Sequence, residues 1–80
     1  PWPQKLINVK ARDRKPVEAC RDLLAAMASI EARWGDGVRQ VVRWSGTEPK
    51  LRLMVEAREE AWVEAALVEL EAASRRDLAL

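Results

Sequence analysis

Residues 38–58 read VRQVVRWSGTEPKLRLMVEAR, and the alternation inside this stretch decides the fold. From Lys50 to Arg58, Leu51, Leu53, Val55 and Ala57 share one side, while Lys50, Arg52, Glu56 and Arg58 make up most of the other. A period of two belongs to a strand with one buried face. Val38 to Trp44 carries a second strand-like pattern, and only Ser45-Gly46-Thr47-Glu48-Pro49 separates the two. So short a connection favours antiparallel pairing, so the stretch is predicted to be a hairpin.

Working outward, the period changes upstream. Cys20, Leu23, Leu24, Met27, Ile30 and Trp34 recur at spacings of three and four, which predicts an amphipathic helix over Val17–Trp34. Gly35-Asp36-Gly37 closes it, because glycine accepts the left-handed conformation of a helix C-terminus. Asp13-Arg14-Lys15-Pro16 suits a connection leading into a first helical turn. Before it, Lys5 to Arg12 alternates again, with Ile7, Val9 and Ala11 opposite Asn8, Lys10 and Arg12. Downstream, a helix from Glu59 into the Ser74 region places Trp62, Val63, Ala66, Leu67 and Leu70 on its apolar side and Glu60, Glu64 and Glu71 in water. The tail Ser74 to Leu80 is expected to fray. The order is β-α-β-β-α. Each strand has one apolar face, so the expected fold is an α+β two-layer sandwich, with two helices on one face of an antiparallel sheet. The other face is left to solvent or to a partner.

Composition narrows the function. Eighty residues allow one core, so residues 1–80 form a single domain. No apolar run approaches the ~20 residues of a bilayer span, and the N-terminus lacks a signal-peptide layout, so no membrane partner is expected. The chain has no histidine, which removes His-based acid–base chemistry and most zinc sites. A single cysteine, Cys20, allows no internal disulfide and suits a reducing, cytoplasmic compartment. The opening Pro1-Trp2-Pro3 is compatible with a trimmed methionine or with a domain cut from a longer chain. A self-contained enzyme is not expected.

The net charge of +1 conceals a segregation. The hairpin strands carry Arg39, Arg43, Lys50, Arg52 and Arg58 against Glu48 and Glu56, and the first strand adds Lys5, Lys10 and Arg12. The last helix carries Glu59, Glu60, Glu64, Glu69 and Glu71. The uncovered sheet face is therefore expected to be basic, which concentrates anions near it. Long charged side chains also cover solvated strand faces without any ligand.

The loop between the hairpin strands is where the charge meets suitable donors. A phosphate needs several hydrogen-bond donors converging on oxygens that share up to two negative charges. Ser45 and Thr47 offer hydroxyls, and Gly46 permits a positive φ at which successive N–H groups form an anion-binding nest. Arg43 and Arg52 flank the loop, and each guanidinium can bond two phosphate oxygens in parallel. Serine, glycine, threonine and proline are also ordinary turn residues. Ser45 has no histidine to activate it, and Glu48 can cap the turn or brace an arginine. The loop reads as a binder with no catalytic residue and no metal site. Of the tryptophans, Trp34 and Trp62 belong to the helix stripes and the core, and Trp44 is the candidate for lining a cleft. Cys20 and Met27 are expected in the core, and Met54 on the open face.

The run RWSGTEPKLRLMVEA resembles the C-terminal phosphate-binding loop and following strand of the α-D-phosphohexomutases, whose pattern is Arg-x-Ser-Gly-Thr-Glu-Pro followed by Ile/Leu-Arg-hydrophobic. The upstream WPQKLINVKARDRKP is similar to the first strand of the same domain, in the form found in bacterial phosphoglucosamine mutases. The resemblance covers essentially the whole chain, with Trp44 standing where a small residue or proline is common. It implies that Arg43, Ser45, Gly46, Thr47 and Arg52 hold the substrate's phosphate. It further implies an enzyme that interconverts hexosamine 6-phosphate and 1-phosphate through a bisphosphate, using a phosphoserine and magnesium housed in preceding domains. In that scheme the C-terminal domain grips the non-reacting phosphate and is inactive alone. It needs no cofactor of its own, and its partners are the phosphosugar and the rest of the polypeptide. Phosphoglucomutases and phosphomannomutases of the same family are the neighbouring alternative. A free-standing RNA-binding module is the alternative of another class, because a sheet backed by two helices also suits RNA. Such sheets stack bases on exposed Phe or Tyr, and this chain has neither.

Overall fold

The computed structural model describes residues 1–80. Three strands, β1 (Gln4–Lys10), β2 (Val38–Trp44) and β3 (Lys50–Ala57), form one sheet in the order β1-β3-β2, antiparallel throughout. The clearest alternation in the sequence lies on the central strand. Leu51, Leu53, Val55 and Ala57 of β3 are fully buried, and the residues between them face the other way. Helices α1 (Arg21–Trp34) and α2 (Glu60–Asp77) cover that buried side. The register sets Val9 against Leu51 and Ile7 against Leu53 on one flank, and Val42 against Leu53 on the other. Leu23 and Ile30 from α1, with Val63, Leu67 and Leu70 from α2, complete the core. Each such side chain contributes roughly 1.5–3 kcal/mol on full burial. The α+β two-layer sandwich is the fold that forms.

Several local readings change. The predicted helix over Val17–Trp34 is two pieces. Val17–Ala19 makes a single tight turn, and the chain leaves helical geometry at Cys20 (φ −88°, ψ 86°) before α1 starts. No side chain near Cys20 caps α1. The cap comes from the far end of α2, where Asp77 Oδ1 accepts from the Asp22 N–H at 3.2 Å and Oδ2 from the Leu23 N–H at 2.8 Å. A carboxylate at a helix N-terminus satisfies orphan donors and opposes the helix dipole. Arg76 Nε donates to Asp22 Oδ2 at 2.9 Å, and Lys15 Nζ donates to the Asp77 carbonyl at 3.3 Å. This clasp overturns the expectation of a frayed tail from Ser74: α2 runs to Asp77, and Ala73 and Ser74 are buried.

At the other end of α1, Gly35 has φ +47°, the positive φ expected of the helix stop. Trp34 and Trp62 stack with ring centroids 5.2 Å apart and planes 10° from parallel. Gly37 lies against that stack, and a Cβ there would sit 2.9 Å from the Trp62 ring. On the core side of β2, Gln40 Nε2 donates to the Met27 carbonyl at 3.1 Å, while its Oε1 is buried without a partner. Burial pushes the Cys20 thiol up, so it stays protonated and packs as an apolar group.

Candidate functional site

β2 and β3 deliver two arginines to one place. Arg43 is directly opposite Arg52 across the ladder, and both occupy the face that the helices leave uncovered. Neither forms an ion pair within the chain. Arg39, further along the same face, bonds Glu56 at 3.2 Å, and Lys50 bonds Glu48 at 3.2 Å. Arg39 and Lys50 are thus compensated, whereas Arg43 and Arg52 between them are not.

The loop is tightly braced. The Ser45 N–H donates to the Lys50 carbonyl at 2.9 Å, and the Lys50 N–H to the Glu48 carbonyl at 2.8 Å. Ser45 is only 7% exposed, and its Oγ accepts from the N–H groups of Thr47 (3.4 Å) and Glu48 (3.3 Å). Its hydroxyl oxygen therefore shapes the turn, while its proton remains available to donate. Thr47 and Gly46 are exposed. The positive φ expected at Gly46 is not found, since Gly35 is the glycine that adopts it. The Ser45 side chain has taken over the work of holding the turn, so the backbone does not need a left-handed residue there. A Cβ on Gly46 would meet nothing within 4 Å, which leaves clear space above the loop. The Pro49 carbonyl accepts from the Ala11 N–H at 3.0 Å, tying the loop to the end of β1.

Trp44 does not line the open face. Parity with Arg43 turns it to the helix side, where it packs against the core and donates from Nε1 to the Lys15 carbonyl at 2.8 Å. Its contact steadies the strand that leads into the loop. Met54 is on the open face as expected, in a row with Leu6 and Val41. Lys5 leaves the basic face for the helix side, pairing with Glu64 at 2.9 Å, and that carboxylate raises the Lys5 pKa. Two residues beyond the predicted set stand beside the arginines, Asn8 opposite Arg52 and Lys10 opposite Lys50. Alternation placed them on the open side, but only the register shows which residues they adjoin. No group of three or more His, Cys, Asp or Glu side chains is arranged to hold a metal ion, so these residues do not fit a magnesium site. No helix is long and apolar enough to cross a membrane.

A family model described as phosphoglucomutase/phosphomannomutase, C-terminal domain, matches residues 6–73. The chain belongs to this family. The matched span takes in β2, β3, most of β1 and the paired arginines of the mutase domain. A phosphoglucosamine mutase of Frankia alni is 51% identical over 59 residues, covering 74% of this chain and 13% of the relative. That of Clavibacter sepedonicus is 44% identical over 79 residues, covering 99% of this chain and 18% of the relative. Among solved structures, N-acetylphosphoglucosamine mutase of Aspergillus fumigatus, crystallised with GlcNAc-6P and magnesium, superposes with a TM-score of 0.76 at 26% identity. That match covers 96% of this chain and 16% of the fungal one. The mutase C-terminal domain thus spans less than a fifth of the length of these relatives.

Proposed function

We propose that this chain is the phosphate-gripping domain of a phosphohexomutase acting on hexosamine phosphates, a phosphoglucosamine mutase. The observation that carries the reading is the unneutralised Arg43–Arg52 pair at the stem of the SGTEP loop, in a chain of this family. Arg43 and Arg52 bond phosphate oxygens in parallel, Thr47 and Ser45 donate hydroxyl protons, and Gly46 leaves room for the oxygens to approach. The Ser45 hydroxyl has no histidine to activate it and the Glu48 carboxylate is paired with Lys50, so the domain binds and orients. Gripping the phosphate that does not react converts remote binding energy into alignment of the one that does. Phosphoryl transfer, with its phosphoserine and magnesium, is the work of the rest of the enzyme, and the substrate and the preceding domains are the partners.

NMR titration of the 80-residue chain with glucosamine 6-phosphate tests this. Shifts are expected at Arg43 through Arg52. Arg43→Ala and Arg52→Ala should each weaken binding by about tenfold or more, as loss of a charge-assisted hydrogen bond of ~1.5–3 kcal/mol requires. Shifts scattered away from the loop, or tight binding of short single-stranded RNA instead, would overturn the assignment.

A further inference from the structure

The open sheet face can be read as rows that cross all three strands. Gln4, Glu56 and Arg39 form the first row, and Leu6, Met54 and Val41 the second. Asn8, Arg52 and Arg43 form the third, and Lys10 with Lys50 the fourth, beside the loop. The first row is charge-compensated through Arg39 and Glu56. The second is apolar. The third and fourth each set like charges directly opposite one another, Arg43 against Arg52 and Lys10 against Lys50. Directly opposed like charges destabilise a sheet, and here they occupy consecutive rows. Glu48 offsets Lys50 alone, leaving Arg43, Arg52 and Lys10 without a carboxylate partner. A local conflict of this kind is expected at functional positions.

The spacing suits one ligand. Neighbouring strands lie about 4.8 Å apart, and successive same-face residues about 6.7 Å apart. Asn8 and Arg43 therefore flank Arg52 from the strands on either side, and Lys10 lies diagonally from it in the next row. An oxyanion seated over Arg52 would meet guanidinium forks from β2 and β3, an amide from β1, and an ammonium from the next row. Three unpartnered cations exceed what a single negative charge needs and match a phosphomonoester dianion.

We propose that β1 completes the phosphate site, with Asn8 donating its side-chain amide to the anion and Lys10 supplying the charge that selects a dianionic phosphate ester over a monoanionic one. This rests on the phosphate-gripping reading above and adds the strand that sets its charge selectivity. Lys10 acts as a point charge and is silent toward geometry, whereas Asn8 acts through a hydrogen bond and is silent toward charge. The two substitutions therefore have different signatures.

Isothermal titration of the 80-residue chain with glucose 6-phosphate and glucose 6-sulfate separates them, because the esters share shape and differ by one charge. The wild-type chain should favour the phosphate by about tenfold, the scale of one charged contact. Lys10→Gln should remove most of that preference. Asn8→Ala should weaken both esters alike by about threefold to tenfold. Lys5→Gln, on the helix side, should change neither. If Arg43→Ala weakens the phosphate ester while Asn8→Ala and Lys10→Gln leave both affinities and their ratio unchanged, the role of β1 is overturned and the arginine site stands. If Arg43→Ala also has no effect, the phosphate-gripping reading itself fails. Circular dichroism confirms that each exposed-site variant remains folded.

Discussion

Removing the Asp77 carboxylate should cost more stability than its place in the last turn of α2 suggests. Its two oxygens accept from the Asp22 and Leu23 N–H groups at 3.2 and 2.8 Å. Replacing an N-capping carboxylate by alanine usually costs about 0.5–2 kcal/mol. Here two donors lose their acceptor at once, and one belongs to Leu23, which is fully buried. A donor left unpaired away from water costs ~1–3 kcal/mol. The worked expectation for Asp77→Ala is therefore about 2–3 kcal/mol. In a domain of this size each kcal/mol lowers Tm by about 4–8 °C, so a fall of roughly 8–24 °C is expected. Asp77→Asn keeps one acceptor oxygen and should lose about half as much. Urea unfolding followed by circular dichroism, with calorimetry alongside, measures both variants. An unchanged m-value locates the effect in stability and not in compactness. A loss below about 0.5 kcal/mol for Asp77→Ala would show that α1 does not depend on this cap.

Three further outcomes are expected. Gly37→Ala places a methyl 2.9 Å from the Trp62 ring, so it should cost about 1–3 kcal/mol and weaken the near-ultraviolet signal of the Trp34–Trp62 stack; an unchanged spectrum would refute the contact. Gln40→Met removes a buried oxygen that has no partner together with the Nε2 bond to the Met27 carbonyl; the two nearly offset, so stability in urea should change by less than about 1 kcal/mol, and a larger loss would mean that the Oε1 is satisfied. Arg33 donates to both oxygens of Glu69 at 2.7 and 3.0 Å and holds that carboxyl below the usual carboxylate range. The native state thus binds the proton less readily than the unfolded chain, and the pair's contribution, full above the unfolded value near ~4.3, is lost as pH falls through the native one. Because the pair is partly exposed, the effect is modest. Glu69→Gln should flatten the acid limb of a Tm–pH curve, and an identical limb would count against the pair.

The strands were legible because burial on one face leaves a period of two that no other element produces. β3 shows it at every position but Met54, and the five-residue gap before it made the hairpin readable as well. Helix existence followed from the three-and-four spacing, but the start of α1 did not. Its cap lies 55 positions away along the chain, and no local pattern can announce a donor–acceptor pair that distant. The same contact explains why the tail is ordered. Around the site, Arg43 and Arg52 were visible as flanking cations, yet their direct opposition is a matter of register. The side taken by Trp44 is hidden in the sequence because Val41 and Val42 are adjacent apolar residues, which blurs the parity of β2 until Arg43 is placed. Gly46 permits a left-handed backbone that the Ser45 hydroxyl makes unnecessary.

The clasp at Asp77 also bears on the order in which the molecule can be made. Within this domain β1 and α1 are synthesised before β3 and α2, yet β1 pairs only with β3, and the first turn of α1 takes its cap from Asp77. β1 therefore lacks its neighbour until β3 exists, and α1 lacks its cap until the end of α2 does. Both ends of the domain are thus needed together for the native contacts of its first half to be complete.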